Sequence, residues 1–176
     1  MIETSDLSGG SNLEEIDFTS CTSLCDVHPS IKVLKQLEEL RMSRTGIKQL
    51  WKGKLVVLDN LKELDLSNSE NLIETTYLSK ALNFEIIGFK NCRSLCEVHP
   101  SIKELKRIQE LIMFGTRIKQ LRKGLVVLDN LKLSDMRYSK NLIETLDLTG
   151  SPNLEEIDFI GCTRLCEVLL SIKVLK

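Results

Sequence analysis

Cysteine and histidine are the residues here whose types and spacing could do chemistry. Cys21, Cys25 and His28 form C-x-x-x-C-x-x-H, and Cys92, Cys96 and His99 repeat it. Cys162 and Cys166 give a third C-x-x-x-C, but Leu169-Leu170 stands where the other copies have His-Pro. Such a set could ligate zinc or pair a thiolate with an imidazole. Each cluster lacks a fourth ligand and one lacks its histidine. The clusters also stand three repeat units apart, about 14 Å at the spacing of neighbouring strands, so they cannot share an ion. The spacing reads better as repeat positions than as a metal or catalytic site, and it requires no cofactor. All six cysteines are expected to be reduced thiols, as in the cytoplasm.

The element that places these cysteines is a short apolar frame. Leu13-Glu14-Glu15-Ile16-Asp17-Phe18-Thr19-Ser20-Cys21 returns from Phe84 to Cys92 and again from Leu154 to Cys162. The pattern L-x-x-L-x-L-x-x-C, with apolar and polar residues alternating at its centre, is the strand of a leucine-rich repeat. Frames begin at Leu13, Leu37, Leu61, Phe84, Ile108, Leu131 and Leu154, which are 23 or 24 residues apart. Each frame ends on a small hydrogen-bonding residue: Cys21, Thr45, Ser69, Cys92, Thr116, Ser139 and Cys162. Each is expected to turn inward and satisfy buried backbone groups. The cycle of cysteine, threonine and serine marks a three-unit superrepeat, with Asn12, Asn83 and Asn153 separated by 71 and 70 residues.

Residues 1–176 are therefore expected to form one leucine-rich-repeat domain of about seven units. Its fold class is an α/β solenoid, a right-handed horseshoe segment with a seven-stranded parallel sheet on the concave face. Loops and short helices make the convex face, where Pro29-Ser30 can begin a helical turn. Outer apolar sets include Leu24, Val27, Ile31 and Leu34, then Ile47, Leu50 and Leu55 to Leu58, with a counterpart at Leu125 to Leu128. Ile2-Glu3-Thr4 matches Ile73-Glu74-Thr75, so the chain starts within a unit and is expected to be uncapped at both ends. Terminal rungs should then fray or associate. Ser134 occupies a core slot that Leu64 fills one superrepeat earlier, which predicts a weak rung.

The formal net charge of −1 argues against a nucleic-acid surface, which needs a basic stripe, and no apolar run reaches the length of a membrane span. With no acid–base or nucleophile constellation, the chain reads as a non-enzymatic binding protein. The candidate partner contacts lie on the concave strand face, in the columns between and after the core positions. Arg41, Lys90, Ile112, Phe114, Arg137, Tyr138 and Ile160 stand out there. Ile112 and Phe114 are apolar where the frame calls for polar residues, and arginine and aromatics around an apolar centre make an interaction patch. Trp51 is expected to be peripheral, and His28 and His99 to be turn residues.

Several longer phrases carry a resemblance. Ile47-Lys48-Gln49-Leu50-Trp51-Lys52-Gly53, Leu58 through Ser67 (LDNLKELDLS), Asn141-Leu142-Ile143-Glu144-Thr145 and Cys96 through Ile102 (CEVHPSI) are similar to the leucine-rich-repeat region of plant intracellular immune receptors. The class is the TIR–nucleotide-binding–leucine-rich-repeat disease resistance proteins. This resemblance implies a cytoplasmic protein, with the nucleus also open to it. The implied role is ligand sensing or autoinhibition, and the implied partner is a pathogen effector or the parent receptor's own nucleotide-binding domain. Thr76 and Leu146 depart from the proline that often follows Ile-Glu-Thr in that class. No TIR or P-loop sequence lies within these residues, so nucleotide chemistry is not assigned to them. The alternatives are the substrate-recognition arm of a ubiquitin-ligase adaptor and a truncated receptor fragment without activity of its own.

Overall fold

A computed structural model describes residues 2–53, 58–75, 78, 83–121, 128–145, 148 and 151–166. Leu55–Val57, Leu125–Val127 and Leu169-Leu170 lie outside the described residues, as do Thr76 and Leu146. Seven three-residue strands stack as one parallel sheet: β2 (Glu15–Asp17), β4 (Glu39–Arg41), β5 (Glu63–Asp65), β6 (Ile86–Gly88), β7 (Glu110–Ile112), β8 (Leu133–Asp135) and β9 (Glu156–Asp158). They neighbour one another in chain order and pair in register, so Ile16, Leu40, Leu64, Ile87, Leu111, Ser134 and Ile157 form one row. On the opposite side β1 (Ile2–Glu3) pairs with β3 (Leu24–Asp26), and single bridges join Gln49, Glu74 and Glu97. Short 3₁₀ turns at Pro29–Val33, Leu50–Gly53 and Pro100–Glu104 complete that outer side.

The core runs between the two sides. Leu37, Leu61, Phe84, Ile108 and Leu131 begin their frames fully buried, and Met42, Leu66, Phe89, Met113 and Met136, the last apolar slot of each, are fully buried too. Outer residues such as Ile31, Leu34, Ile47, Leu72 and Leu95 close the core from behind. Each rung buries its apolar edges only against the next, the arrangement that a repeat of this length imposes.

Two motifs prominent in the sequence interlock across rungs. The Thr75 hydroxyl accepts the His99 N–H (2.8 Å), and the His99 ring accepts the Ser101 N–H (3.1 Å), capping the 3₁₀ turn. Thr4, His28 and Ser30 repeat the arrangement at 2.9 and 3.2 Å. The histidines are thus spent on helix entry. Asparagines stitch the strand entrances: Asn60, Asn130 and Asn153 donate side-chain N–H groups to the carbonyls of Lys35, Lys106 and Asp129 at 2.6–2.8 Å.

Two expectations are corrected. Trp51 is buried rather than peripheral, 4% exposed, because the turn at Leu50–Gly53 folds its ring onto the outer core. Its indole N–H has no hydrogen-bond partner among the described residues. Cys21 is exposed rather than turned inward. It follows β2, the edge strand of the sheet, so no neighbouring rung offers the carbonyl that buries its counterparts.

Candidate functional site

The turn after each strand determines what the concave face and its rim display. The residue two after the last apolar slot of the strand frame takes a left-handed backbone in every rung: Ser20, Arg44, Asn68, Asn91, Gly115, Tyr138 and Gly161. In the serine and cysteine rungs the following N–H closes the turn onto the last core carbonyl, for example Cys92 to Phe89 at 3.1 Å. A positive φ at the third position of such a turn suits glycine or asparagine. Arg44 and Tyr138 hold it at a steric cost of about 1 kcal/mol each.

The residues that end the frames are packed at the turn. The hydroxyls of Thr45 and Ser69 stand 3.0 Å apart and 3.0 Å from the Met42 carbonyl. Thr116 and Ser139 repeat the pairing at 3.1 Å, and Ser139 donates to the Met113 carbonyl. Cys92 and Cys162 instead point their thiols at the Leu66 and Met136 carbonyls, 3.1 and 3.0 Å away. Burial pushes the Cys92 thiol up to about 12 and also raises that of Cys162. Cys25, Cys96 and Cys166 face the carbonyls of Ile2, Ile73 and Ile143. Among the described residues, no three His, Cys, Asp or Glu side chains gather closely enough to hold a metal ion.

On the solvent side of the sheet, four of the seven candidate contacts converge. Lys90 lies 5.6 Å and the Arg137 guanidinium 5.5 Å from the centre of the Phe114 ring, and Tyr138 meets that ring edge-on at 5.3 Å. Each cation–π contact of this kind contributes about 0.5–1 kcal/mol when exposed. Ile112, half-buried, lies two residues before Phe114, and Ile160 is 60% exposed one rung beyond Tyr138. Arg41 stands apart, three strands from Ile112, and is held by Glu15 and Glu39.

Arg137 is less available than its type suggests. Its guanidinium grips both oxygens of Asp135, at 3.0 and 2.8 Å. Burial raises the Asp135 pKa, but these bonds and the Arg137 charge outweigh it and hold the carboxyl below its ordinary range. Arg137 therefore props Phe114 rather than presenting a bare charge. The N-terminal strands carry the opposite character. Glu15, Glu39 and Glu63 align directly across β2, β4 and β5, and burial together with Glu39 raises the Glu63 pKa.

A second set of residues lies beyond the strand columns. Arg93, Arg117 and Lys140 follow the turns of three successive rungs and border a hollow of about 750 Å³ walled by Phe114 and Tyr138. Reading the strand columns alone passes over them. The signal was present in the column Thr22, Gly46, Glu70, Arg93, Arg117, Lys140 and Thr163, where three cations run consecutively.

The stacked architecture matches solved structures. It covers 97% of this chain and 68% of the leucine-rich repeat domain of the type III effector XCV3220 (XopL), with a TM-score of 0.72 at 17% identity. A Leptospira interrogans leucine-rich-repeat protein matches 94% of this chain and 56% of its own at a TM-score of 0.63 and 19% identity. The chain is a leucine-rich-repeat solenoid. Its sequence relatives include plant disease resistance proteins of the TIR–nucleotide-binding–leucine-rich-repeat class. Disease resistance protein RPP2A of Arabidopsis thaliana is 36% identical over 138 residues, 78% of this chain and 10% of that protein. Disease resistance protein RPP5 of the same plant is 32% identical over 165 residues, 93% of this chain and 11% of that protein. The solenoid thus spans about a tenth of the curated relatives it matches. No family model matches it. None of its described helices is long and apolar enough to cross a membrane.

Proposed function

We propose that this solenoid is a protein-interaction segment of an intracellular plant immune receptor, serving in ligand sensing or in holding the receptor at rest. The observation that carries the reading is the cluster of Lys90, Phe114, Arg137 and Tyr138 on the concave side, beside half-buried Ile112 and exposed Ile160. Apolar and aromatic groups at that density, rimmed by cations, have the make-up of an interface centre. The resistance-protein relatives supply the setting, and the partner is a pathogen protein or the receptor's own nucleotide-binding domain. Arg41, paired with two glutamates, belongs to the edge of the contact. The buried thiols and capped histidines support a binding role rather than a catalytic one.

The test is proximity labelling in leaf tissue, followed by affinity measurement on the purified partner. Ile112→Asp should weaken binding at least about tenfold, as expected for a buried hot-spot position, with the melting curve retained. Arg44→Glu, three strands away on the turn row, should leave it unchanged. Equal affinity of the Ile112→Asp and unaltered proteins overturns the concave-face assignment.

A further inference from the structure

The hollow beside Phe114 originates in the row of turn residues. Asn68, Asn91 and Tyr138 project side chains, while Gly115 leaves a gap between Asn91 and Tyr138. A Cβ at Gly115 would come within 2.8 Å of the Asn91 amide oxygen. Gly161 has the complementary effect, since a Cβ there would strike the Tyr138 ring at 2.6 Å. One glycine opens the hollow and the other lets the Tyr138 ring lie along its wall. Tyr138 itself sits 49% exposed on a left-handed backbone.

The mouth of the hollow is cationic on three adjacent rungs. Arg93 is 3.7 Å from Glu70, whereas among the described residues no carboxylate pairs with Arg117 or Lys140. Like charges on adjacent rungs repel, and an anion among them relieves that repulsion. A long polyanion does not fit, because the same column continues to Glu70, Gly46 and Thr22 on one side and to Thr163 on the other, so the cationic row is three rungs long and closed by a carboxylate. The complementary occupant is short, anionic and apolar at its centre.

We propose that this hollow is a socket for an acidic segment of a partner protein. An apolar side chain of that segment rests against the wall that the Phe114 and Tyr138 rings form together, and its carboxylates reach Arg93, Arg117 and Lys140. The assignment rests on the protein-binding reading above and adds the chemistry of the partner and a contact surface outside the strand columns.

The probe is a synthetic fluorescent peptide of alternating glutamate and glycine around one central leucine, measured by anisotropy at low and physiological salt. Binding should weaken with added salt and fall at least about tenfold in the Arg117→Glu/Lys140→Glu protein. A control carrying Lys32→Glu and Arg44→Glu makes the same change in net charge at exposed sites away from the hollow, and it should bind normally. Replacing the peptide's leucine by glycine should also weaken binding. Equal binding of a lysine-for-glutamate peptide, equal loss in both double variants, or displacement by inorganic phosphate at matching concentration overturns the socket. A natural partner that stays bound to Arg117→Glu/Lys140→Glu but is lost from Ile112→Asp leaves the protein-binding function standing and removes the acidic-segment assignment.

Discussion

Cys92 and Cys21 occupy equivalent positions one superrepeat apart, yet their chemistry differs because one is covered and the other is not. Iodoacetamide near neutral pH should modify Cys21 and Cys166 in the native protein and spare Cys92, whereas all six thiols should react after unfolding. Mass mapping checks this, and equal rates at Cys21 and Cys92 would contradict the burial described. The raised Cys92 pKa also carries a sign. The folded chain holds that proton up to about 12, whereas an unfolded thiol releases it near 9. This contribution to stability is complete below about pH 9 and declines as pH rises toward 12. The inward ladder was legible from the cycle of cysteine, threonine and serine. The exposure of Cys21 was not, since it depends on what covers one rung rather than on residue type.

At the scale of one element, β8 is the informative rung. Ser134 is fully buried in the row that Leu111 and Ile157 continue on either side, and its hydroxyl has no hydrogen-bond partner among the described residues. An orphaned buried hydroxyl costs about 1–3 kcal/mol. Ser134→Ala should therefore raise stability by about 1 kcal/mol in chemical denaturation, and a loss of stability would mean that the hydroxyl is serving the fold. This defect could be read directly from the broken leucine frame. The turn that follows each strand could not. Its left-handed residue is asparagine or glycine in four rungs but serine, arginine and tyrosine in the others, so tertiary pairing holds the turn where local preference does not. Trp51 was misread for a related reason. Its neighbour pattern suggested an outward position, but a positive φ of 57° within a 3₁₀ turn reverses where the ring points.

At the scale of the whole molecule, contacts among the described strands of the sheet join neighbouring rungs, which makes stability local. Leu64→Ala, at a fully buried position in β5, should cost about 2–5 kcal/mol. Hydrogen exchange should then lose protection most in β4, β5 and β6, with β8 and β9 less affected. A uniform loss across all seven strands would show one cooperative unit instead. The period and the sheet were legible because every rung repeats the same core slots. The rim hollow was less so, because it depends on two glycines and three cations that belong to different rungs and meet only when stacked.

The junctions between superrepeats have a further consequence. Ser69 is followed by Cys92, and Ser139 by Cys162, and in both cases the thiol turns back to the preceding rung's last core carbonyl at nearly the same distance. At this contact the two seams are alike, although the core slot beside it is Leu64 in one and Ser134 in the other. A block of three rungs can be duplicated or deleted between them and each new seam still finds its matching surface. Recombination between misaligned gene copies would then change the length of the solenoid, and the reach of its concave surface, while keeping the thiol-to-carbonyl contact at each new seam.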